Sequence, residues 1–420
     1  MILPLLQPLY DKVKSHLEKI VIPFWSNMED KENGGFYGTF DFNLELKEKS
    51  DKSAVQMSRY LWSFSRLYNY YHEEKFLSLA KQAYDFLIKN FKDEINGGIY
   101  WLTDCEGKVK SDVKHLYAHS FYLYGLSEYF AATKSEEVLD EAKEIFNLIE
   151  EKFYQVDKKV YIEEATIKFI EKENELIGYE KENSPRTMNS LLHLLEAYTR
   201  FFKIMDEVER AEEFEGFTWE DYKKQLRFKV RERLQELIDV FYNQIYDEKN
   251  MSFNLFFDND FKPLTNLKSY GHNIEATWLI FDACEATQRL GINIDQAIND
   301  VFFNTLKEGL RGDSLINEKG NDFIDTDRLW WPQAEAVIGL YYFYQKTNEE
   351  KYTNKALEVF EFIEKNIVDK RRNSCWLWGV KEDLTPVKRG IAEIWKTPYH
   401  VVRMCLEILE RIENDSREIL

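Results

Sequence analysis

The chain has 420 residues, of which 44% are hydrophobic and 15% aromatic, enough apolar surface for one large core. Asp and Glu number 75 against 56 Lys and Arg, which gives a formal net charge of -19. Because an acidic surface repels polyanions, neither nucleic acid nor an anionic membrane is expected as a partner. No apolar run is long enough to span a bilayer, and the first residues lack the basic start of a signal peptide.

Cysteine usage agrees with a cytoplasmic location. The four cysteines lie far apart in the sequence and form no CxxC pair: Cys105, Cys284, Cys375 and Cys405. This spacing predicts ordinary reduced thiols rather than a disulfide framework or a zinc site.

Two kinds of helical segment alternate along the chain. Segments that are apolar nearly all round begin near Ala54, Leu116, Met188, His272, Leu329 and Thr397. Amphipathic segments with one polar face lie near Leu5, Phe76, Val138, Tyr222, Ile294 and Tyr352. The first kind is typical of helices buried on most sides, and the second of outer helices with one solvated face. The alternation therefore predicts six helix pairs in an all-α protein.

An internal repeat supports stacked units. Asn33-Gly34-Gly35-Phe36-Tyr37 returns as Asn96-Gly97-Gly98-Ile99-Tyr100, each after an amphipathic helix. Glycine pairs suit the turn that ends a helix and begins a hairpin. Together with the six helix pairs, the repeat predicts a closed (α/α)6 barrel with short β-hairpin loops, formed by residues 1–420 as a single domain. An open α-solenoid is the alternative, but it needs polar capping repeats, and the sequence has none. The Glu-rich stretch Met205–Tyr222 is expected to be a solvated connector.

Histidines cluster at equivalent places in the pattern. Five of the seven lie at or near the start of an apolar segment: His115, His119, His193, His272 and His400. We expect these five to line one mouth of the barrel, whereas His16 and His72 are expected at the surface. A single histidine on an apolar face is usually a hydrogen-bonded core residue, but five at equivalent positions indicate a site.

The strongest local pattern is the run from Ser269 to Trp278, which contains His272 and Glu275. Three residues apart on a helix, these two side chains share a face. A carboxylate beside an imidazole fixes its tautomer and raises its pKa towards neutrality. A zinc site is weakly supported, because there is no HExxH motif and no evident third ligand.

Two further runs combine aromatic rings with acid–base residues. Trp395 precedes His400 by five positions, and Trp330-Trp331 precede Glu335. Flat aromatic faces beside carboxylates suit sugars, whose C–H faces stack on rings. Other polar pairs that begin apolar segments are Arg59 with Trp62, Tyr117 with His119, and Asn189 with His193 and Glu196. The sequence has no phosphate-binding glycine loop and no nucleophile elbow.

Taken together, these motifs resemble those of the N-acylglucosamine 2-epimerase superfamily, and within it most closely the cellobiose 2-epimerase branch. The resemblance runs from about Val21 to Leu409. It rests on Ser58-Arg59 with Trp62, Tyr117 with Tyr124-Gly125-Leu126-Ser127-Glu128-Tyr129, Thr187-Met188-Asn189 with His193-Leu194-Leu195-Glu196, Tyr270-Gly271-His272-Asn273-Ile274-Glu275-Ala276, Trp330-Trp331 with Ala334-Glu335, and Trp395-Lys396 with Pro398-Tyr399-His400 and Arg403-Met404. The family fold, an (α/α)6 barrel, agrees with the count of helix pairs.

The resemblance implies a cofactor-independent, metal-free enzyme that inverts C2 of a reducing-end sugar through a cis-enediolate. His272 and His400 match the acid/base pair, and His193 matches the histidine of ring opening. Arg59 matches the cation at the enediolate oxygens. The matching substrate-binding positions are Tyr117, Asn189, Glu275, Trp278, Trp331, Glu335 and Trp395, with the two glutamates orienting the histidines and the tryptophans bracketing the sugars.

Three positions depart from the family pattern. Leu191 stands where the cellobiose branch commonly has a histidine, His119 where glutamine is more frequent, and Thr397 where cysteine is usual. The expected substrate is a β-1,4-linked disaccharide such as cellobiose, and the expected assembly is a monomer or weak dimer. The alternatives are a monosaccharide enzyme of the same superfamily (a mannose 2-epimerase or an aldose–ketose isomerase), an inverting glycosidase that uses Glu275 and Glu335, and a non-enzymatic helical scaffold.

Overall fold

The computed structural model describes residues 2–177, 184–214, 221–289 and 291–418. Its helices are α1 Gln7–His16, α2 Ile22–Ser26, α3 Ala54–Tyr71, α4 Glu74–Asn90, α5 Leu116–Thr133, α6 Glu136–Leu148, α7 Met188–Phe214, α8 Asp221–Val240, α9 Tyr270–Thr287, α10 Ile292–Gly309, α11 Trp330–Thr347, α12 Glu350–Phe362 and α13 Tyr399–Glu418. One π-helical turn follows each of α1, α6, α8 and α12: Leu17–Val21, Ile149–Phe153, Phe241–Ile245 and Ile363–Ile367.

Six of these helices form a closed inner ring. Helices α3, α5, α7, α9, α11 and α13 contact one another in that order, and α13 returns to α3. The helices α1, α4, α6, α8, α10 and α12 form the outer layer, and one continuous apolar core fills the space between the layers. The predicted (α/α)6 barrel is therefore confirmed, and each inner helix begins within two residues of the position predicted from the sequence. None of the described helices is long and apolar enough to cross a membrane.

Short antiparallel strands connect the helices. They are β1 Lys52–Ser53, β2 Leu102–Thr103, β3 Val109–Ser111, β4 Lys114–His115, β5 Tyr154–Gln155, β6 Val160–Tyr161, β7 Glu164–Ala165, β8 Glu171–Lys172, β9 Arg186–Thr187, β10 Tyr246–Asp247, β11 Ser252–Phe253, β12 Phe256–Phe257, β13 Lys268–Ser269, β14 Leu310–Arg311, β15 Ser314–Leu315, β16 Glu318–Lys319, β17 Ile324–Asp325, β18 Arg328–Leu329 and β19 Gly379–Val380. Their sheets are β1-β2-β3, β4-β7-β8, β13-β16-β17, β5-β6, β9-β12, β10-β11, β14-β15 and β18-β19. Strands β1, β4, β9, β13 and β18 each run directly into an inner helix, so paired strands fix where these helices start.

The repeated Asn-Gly-Gly turn has a defined structural role. In the second copy, the ammonium of Lys114 donates hydrogen bonds to the Asp93 carboxylate at 2.8 Å and to the Gly97 carbonyl at 3.0 Å. The first copy repeats this arrangement, with Lys52 donating to Asp30 at 2.7 Å. Gly97 has φ +83°, a left-handed conformation that L-residues rarely adopt. Each turn therefore places a carboxylate that anchors the strand before an inner helix.

We expect Asp93→Ala to lower the free energy of unfolding by about 3–5 kcal/mol, because it leaves the fully buried ammonium of Lys114 without a counter-charge. Urea unfolding followed by circular dichroism measures the loss. Asp85→Ala, which removes an exposed partner of Lys81, serves as the control and should cost about 0.5 kcal/mol. Equal losses in the two variants would show that the buried pair contributes no more to the free energy of unfolding than the exposed pair.

The Glu-rich stretch differs from the prediction in its first half. Helix α7 continues without interruption to Phe214, so Met205–Phe214 extends an inner helix and is not a loop. Ion pairs join this extension to the next helix: Arg227 of α8 contacts Asp206 at 2.8 Å and Glu209 at 2.8 Å. Residues 215–220 of the predicted connector lie outside the described residues.

A ring of polar side chains closes the barrel at the end opposite the helix starts. The thirteenth residue of every inner helix belongs to it: Arg66, Glu128, Arg200, Asp282, Tyr342 and Arg411. Arg200 donates to Glu128 at 2.6 Å, and the Tyr342 hydroxyl donates to Asp282 at 3.2 Å. The Arg411 guanidinium lies 4.0 Å from the centre of the Tyr342 ring. Opposite charges at equivalent positions therefore stabilise this end, where five members of the ring line a cavity of about 120 Å³. The larger cavity described next opens at the other end.

Candidate active site

A cavity of about 180 Å³ opens at the end of the barrel where the inner helices begin. Its wall is formed by Arg59, Tyr117, Asn189, His193, His272, Glu275, Trp330, Trp331, Trp378, Trp395 and His400. Nine of the eleven site residues predicted from the sequence lie on this wall. The other two, Trp278 and Glu335, lie directly behind it.

Equivalent positions in the inner helices bring these residues together. The second residue of α5, α7, α11 and α13 is Tyr117, Asn189, Trp331 and His400, respectively, and His272 is the third residue of α9. The sixth residue of α3, α7, α9 and α11 is Arg59, His193, Glu275 and Glu335. Residues three or four apart share a helix face, so the two sets form successive layers inside the barrel. The pseudo-sixfold arrangement, rather than any local motif, concentrates them in one place.

His400 is paired with a carboxylate. Its Nδ1 lies 2.7 Å from Oε1 of Glu335, and both side chains are buried. A carboxylate accepts a hydrogen bond from Nδ1–H, which leaves Nε2 with a free lone pair. Burial, together with the nearby charges of Arg403 and Arg59, lowers the pKa of His400 well below its usual value. The neutral imidazole is therefore a base supported by a buried carboxylate.

His272 has a different partner from the one predicted. Its Nδ1 lies 2.8 Å from the hydroxyl of Ser269, whereas Glu275 pairs with Arg403. Helical side chains lean towards the helix N-terminus, so His272 reaches the residue three positions before it rather than three positions after it. Burial, with a smaller contribution from His193, lowers the pKa of His272 to about 3. The expectation of a pKa raised by a neighbouring carboxylate was wrong for this histidine.

The same spacing does give a histidine–carboxylate pair in helix α7. Nδ1 of His193 lies 2.9 Å from Oε2 of Glu196. The Glu196 carboxylate also accepts a hydrogen bond from the Tyr399 hydroxyl at 2.6 Å. Burial raises the pKa of Glu196, but Arg403 and His193 outweigh it and bring the pKa to about 2. Glu196 is therefore ionised and fixes the orientation of the His193 ring.

Arg403 is the centre of the buried charge network beneath the cavity. Its Nη1 donates to Glu196, and its Nη2 donates to both Glu275 and Glu335, the latter at 2.7 Å. One guanidinium thus joins carboxylates from three helices to α13. The sequence analysis named Arg403 only as part of a motif. Its position one helical turn after His400 was the signal that could have identified it as a residue of the site.

Two carboxyl groups in this network are difficult to ionise. Burial raises the pKa of Glu275 to about 7, with further contributions from the charge of Glu335. Burial raises the pKa of Glu335 to about 7 as well, against the opposing effect of Arg403. Because three carboxylates share one guanidinium, the cluster holds a proton more readily than isolated carboxylates do.

The same carboxylates could in principle hold a cation. Ligand atoms of Glu275, Glu335 and His400 lie within 4.8 Å of one another. The guanidinium of Arg403 contacts both carboxylates, so a positive group already occupies the place between them. This arrangement favours proton chemistry at His400 over metal coordination.

Arg59 presents a positive charge on the cavity wall, with its guanidinium 5.0 Å from the centre of the Tyr399 ring. Its Nη2 donates to the Tyr117 hydroxyl at 2.7 Å, and its Nη1 donates to the Trp395 carbonyl at 3.2 Å. The guanidinium also lies 4.2 Å from the centre of the Phe121 ring. These contacts prevent the side chain from moving, so its charge is preorganised for an anion that forms in the cavity.

Tryptophan rings form much of the remaining wall. Trp331 lies between the two catalytic candidates, with its ring centre 4.7 Å from that of His272 and 5.6 Å from that of His400. Trp378 was not predicted as a site residue, and the Arg389 guanidinium covers it at 3.5 Å. The aromatic run Cys375-Trp376-Leu377-Trp378 was the signal that could have identified it.

Trp278 and Glu335 support the wall from behind. The indole Nε1 of Trp278 donates to Glu335 at 3.2 Å, and Arg403 lies 4.8 Å from the Trp278 ring. Trp278 does not line the cavity, so its contacts orient Glu335 rather than a ligand.

Two of the five clustered histidines serve the fold rather than the cavity. His115 accepts a hydrogen bond from the Tyr117 amide at 3.1 Å and caps α5, while His119 accepts one from the Ile99 amide at 3.1 Å. The prediction that all five line one mouth was therefore wrong for these two. It was also wrong to place His16 at the surface, because this side chain is buried and accepts a hydrogen bond from Trp376 at 2.8 Å.

A barrel of this architecture with imidazoles, buried carboxylates and a fixed guanidinium in one cavity defines an enzyme of acid–base chemistry. The sequence matches the N-acylglucosamine 2-epimerase (GlcNAc 2-epimerase) family over residues 35–404. The chain belongs to this family, which confirms the resemblance drawn from its motifs, and the protein is an isomerase.

Relatives of known activity resemble the whole chain. Cellobiose 2-epimerase of Dictyoglomus turgidum is 37% identical over 409 residues, which cover 97% of this chain and all of the relative. The enzyme of the same name from Eubacterium cellulosolvens is 36% identical and covers 95% of this chain and 97% of its own. The solved structure of cellobiose 2-epimerase from Bacillus thermoamylovorans B4167 superimposes with a TM-score of 0.89 at 36% identity, over 96% of this chain and all of that one.

Proposed function

We propose that this protein is a cellobiose 2-epimerase, which interconverts the glucose and mannose configurations at the reducing end of β-1,4-linked disaccharides. The observation that carries the proposal is the pair of imidazoles, His272 and His400, on either side of Trp331 in a cavity that also presents Arg59. C2 inversion needs two proton-transfer groups and a positive charge for the oxyanion, and the cavity offers all three.

In the proposed mechanism, the sugar ring opens to an aldehyde next to His193. One imidazole of the His272–His400 pair removes the C2 proton and leaves a cis-enediolate. The other imidazole of the pair, protonated before this step, then returns a proton to C2 from the opposite face, which inverts the centre. Arg59 and the Tyr117 hydroxyl balance the negative charge on the enediolate oxygens, and Glu335 stabilises His400 when it becomes protonated. Protein side chains supply every step, so no cofactor or metal is part of the proposal.

The wall of the cavity supports a disaccharide. A volume of about 180 Å³ is small for a ligand pocket, so we expect the cavity to enclose one sugar ring, with the second ring of a disaccharide outside it. Neither Leu191 nor His119, two of the positions that depart from the family pattern, is part of the wall. A monosaccharide 2-epimerase or aldose–ketose isomerase remains the second candidate, because the reacting groups would be the same.

The glycosidase alternative is poorly supported. An inverting glycosidase keeps its two carboxyl groups about 6.5–9.5 Å apart to admit a water molecule. Here Glu275 and Glu335 share the Nη2 group of Arg403 and lie within one cluster. As further parts of the proposal, the enzyme acts in the cytoplasm as a single domain, in a monomer or weak dimer, without nucleic-acid partners.

Proton NMR in D2O tests the proposed function. With cellobiose, the expected product is the glucosyl-mannose epimer carrying deuterium at C2, and mannose should react far more slowly. Turnover of mannose with cellobiose inert would keep the chemistry but reject the disaccharide. Release of free glucose from cellobiose would indicate hydrolysis and reject both epimerases.

The rate of epimerisation should rise as the pH increases through about 7. Glu335 has a pKa raised to about 7, so below that pH it carries a proton and cannot stabilise the protonated His400. In Glu335→Gln this rise of the rate with pH should disappear, and the rate should stay low at every pH. The measurement is kcat/KM for cellobiose between pH 5 and about 9, the span over which these groups titrate. Glu382→Gln, at an exposed position, is the control and should show the same rise of kcat/KM with pH as the wild type.

Activity should survive exhaustive treatment with EDTA, because Arg403 supplies the positive charge between the carboxylates. The measurement compares kcat before and after chelation and metal analysis. A loss that zinc or manganese restores would contradict the metal-free mechanism.

A further inference from the structure

Ser269 contacts His272 in two ways. It is the last residue of β13 and precedes the first residue of α9, and its side chain is only 4% exposed. The hydroxyl oxygen accepts a hydrogen bond from the backbone amide of His272 at 3.4 Å, as an N-cap does. The same oxygen lies 2.8 Å from Nδ1 of the His272 ring. One hydroxyl therefore caps the helix and binds the imidazole of a proposed acid/base residue.

The direction of this hydrogen bond follows from the valences of the hydroxyl. Its oxygen accepts from the helix amide, and its hydrogen needs an acceptor. Among the described residues, Nδ1 of His272 is the acceptor in contact with it. If the hydroxyl donates to Nδ1, the ring of the neutral imidazole carries its proton on Nε2.

His400 is held in the opposite state. Once ionised, above its pKa of about 7, the Glu335 carboxylate can only accept, so it keeps the proton of His400 on Nδ1 and leaves Nε2 as a lone pair. The two imidazoles thus have chemically different partners, a hydroxyl and a carboxylate. The other titratable or charged groups on the cavity wall are His193, Arg59 and Tyr117 from other inner helices and Glu275 from the helix of His272 itself.

We propose that Ser269 is a positioning residue of the active site, which holds His272 as the Nε2–H tautomer while Glu335 holds His400 as the Nε2 base. In this resting state, His400 can accept the C2 proton, and the N–H of His272 can donate a hydrogen bond to a sugar oxygen. His272 returns a proton to C2 only as the imidazolium, after a solvent proton has reached its ring. This inference rests on the proposed function, because it assigns states to the acid/base pair of that reaction.

The chain offers a matched control for the capping role. Ser53 is the N-cap of α3, and its buried hydroxyl accepts a hydrogen bond from the Gln56 amide at 3.1 Å. The third residue of α3 is Gln56, whereas the third residue of α9 is His272. Ser53→Ala therefore removes a cap alone, whereas Ser269→Ala removes a cap and the partner of an imidazole.

Kinetics and unfolding separate the two roles. Ser53→Ala and Ser269→Ala should lower the unfolding midpoint to similar extents. Only Ser269→Ala should lower kcat for cellobiose, by about 10- to 100-fold, which is less than the ~10²- to 10⁴-fold contribution of a whole acid–base group because His272 itself remains. Only this variant should also shift the pH profile of kcat/KM. Ser269→Thr keeps the hydroxyl and should restore most of the rate. Wild-type kcat and an unchanged pH profile in Ser269→Ala would reduce Ser269 to a cap and overturn the proposal.

Nitrogen-15 NMR of histidine-labelled enzyme reads the tautomer without turnover. The His272 signals are assigned by their loss in His272→Gln. The wild type should show Nδ1 unprotonated and Nε2 protonated, and Ser269→Ala should show a tautomer mixture. A proton on Nδ1 of wild-type His272 would overturn the proposal. If the wild type shows this tautomer but fails to epimerise any sugar, the proposed function fails while the assigned state of His272 stands.

Discussion

The His400→Asn variant is expected to lose epimerisation by at least the ~10²- to 10⁴-fold that a positioned acid–base group contributes. Asparagine can still donate a hydrogen bond to Glu335 in place of Nδ1, but it offers no basic nitrogen to the cavity. The measurement is the rate of C2 deuterium incorporation into cellobiose, with the unfolding midpoint recorded for the same sample.

His72→Asn is the control for this prediction. His72 is exposed at the end of α3 with φ 55°, a left-handed conformation that asparagine tolerates well. Its activity and unfolding midpoint should both match the wild type. If His400→Asn kept more than about a tenth of the wild-type rate, which is far above the expected loss, His400 would not be the proton-transfer group.

The Arg403→Lys variant is expected to fold but to lose about 100-fold or more in kcat, comparable with the removal of a preorganised electrostatic group. An ammonium keeps the charge but cannot reproduce the planar fork that contacts Glu196 on one side and Glu275 with Glu335 on the other. The carboxylates should then shift, and with them the rings of His193 and His400. Steady-state kinetics should show the loss in kcat rather than in KM.

Arg403→Leu extends the test to stability. It leaves three buried carboxylates without a cation, and we expect the free energy of unfolding to fall by about 3–5 kcal/mol. Arg411→Lys, two turns later in α13, is the matched control for Arg403→Lys and should keep the wild-type kcat, since Arg411 contacts Glu407 at the far end of the barrel. Full activity in Arg403→Lys would contradict a role for the fork geometry.

The barrel was predictable from the sequence because each helix carries its own signal. Inner helices such as α5, from Leu116 to Thr133, are apolar on every face, and outer helices such as α4 are apolar on one. This contrast is a property of consecutive residues, so no tertiary information is needed to read it. The exception was Met205–Phe214, a highly charged segment that is helical and forms ion pairs with Arg227 of α8.

Most of the residues that line the cavity could be predicted for a related reason. Polar residues near the start of an otherwise apolar helix are unusual, and in a closed ring the starts of the inner helices meet at one end. Position along the helix therefore selected residues such as Asn189 and Trp331. It could not separate His193, which lines the cavity, from His119, which faces outward to the Ile99 amide. His119 is the fourth residue of its helix and His193 the sixth, and two positions along a helix turn a side chain to nearly the opposite face.

The sequence by itself determined the helix pairs, the end of the barrel that carries chemistry and the family. Only the tertiary structure decided which groups are partners. Glu275 pairs with Arg403, 128 positions away, rather than with His272, three positions away. Ser269 takes the place that Glu275 was expected to fill. The physical reason is that pairing and pKa depend on distance and burial across the barrel, and residues from different helices contribute to both.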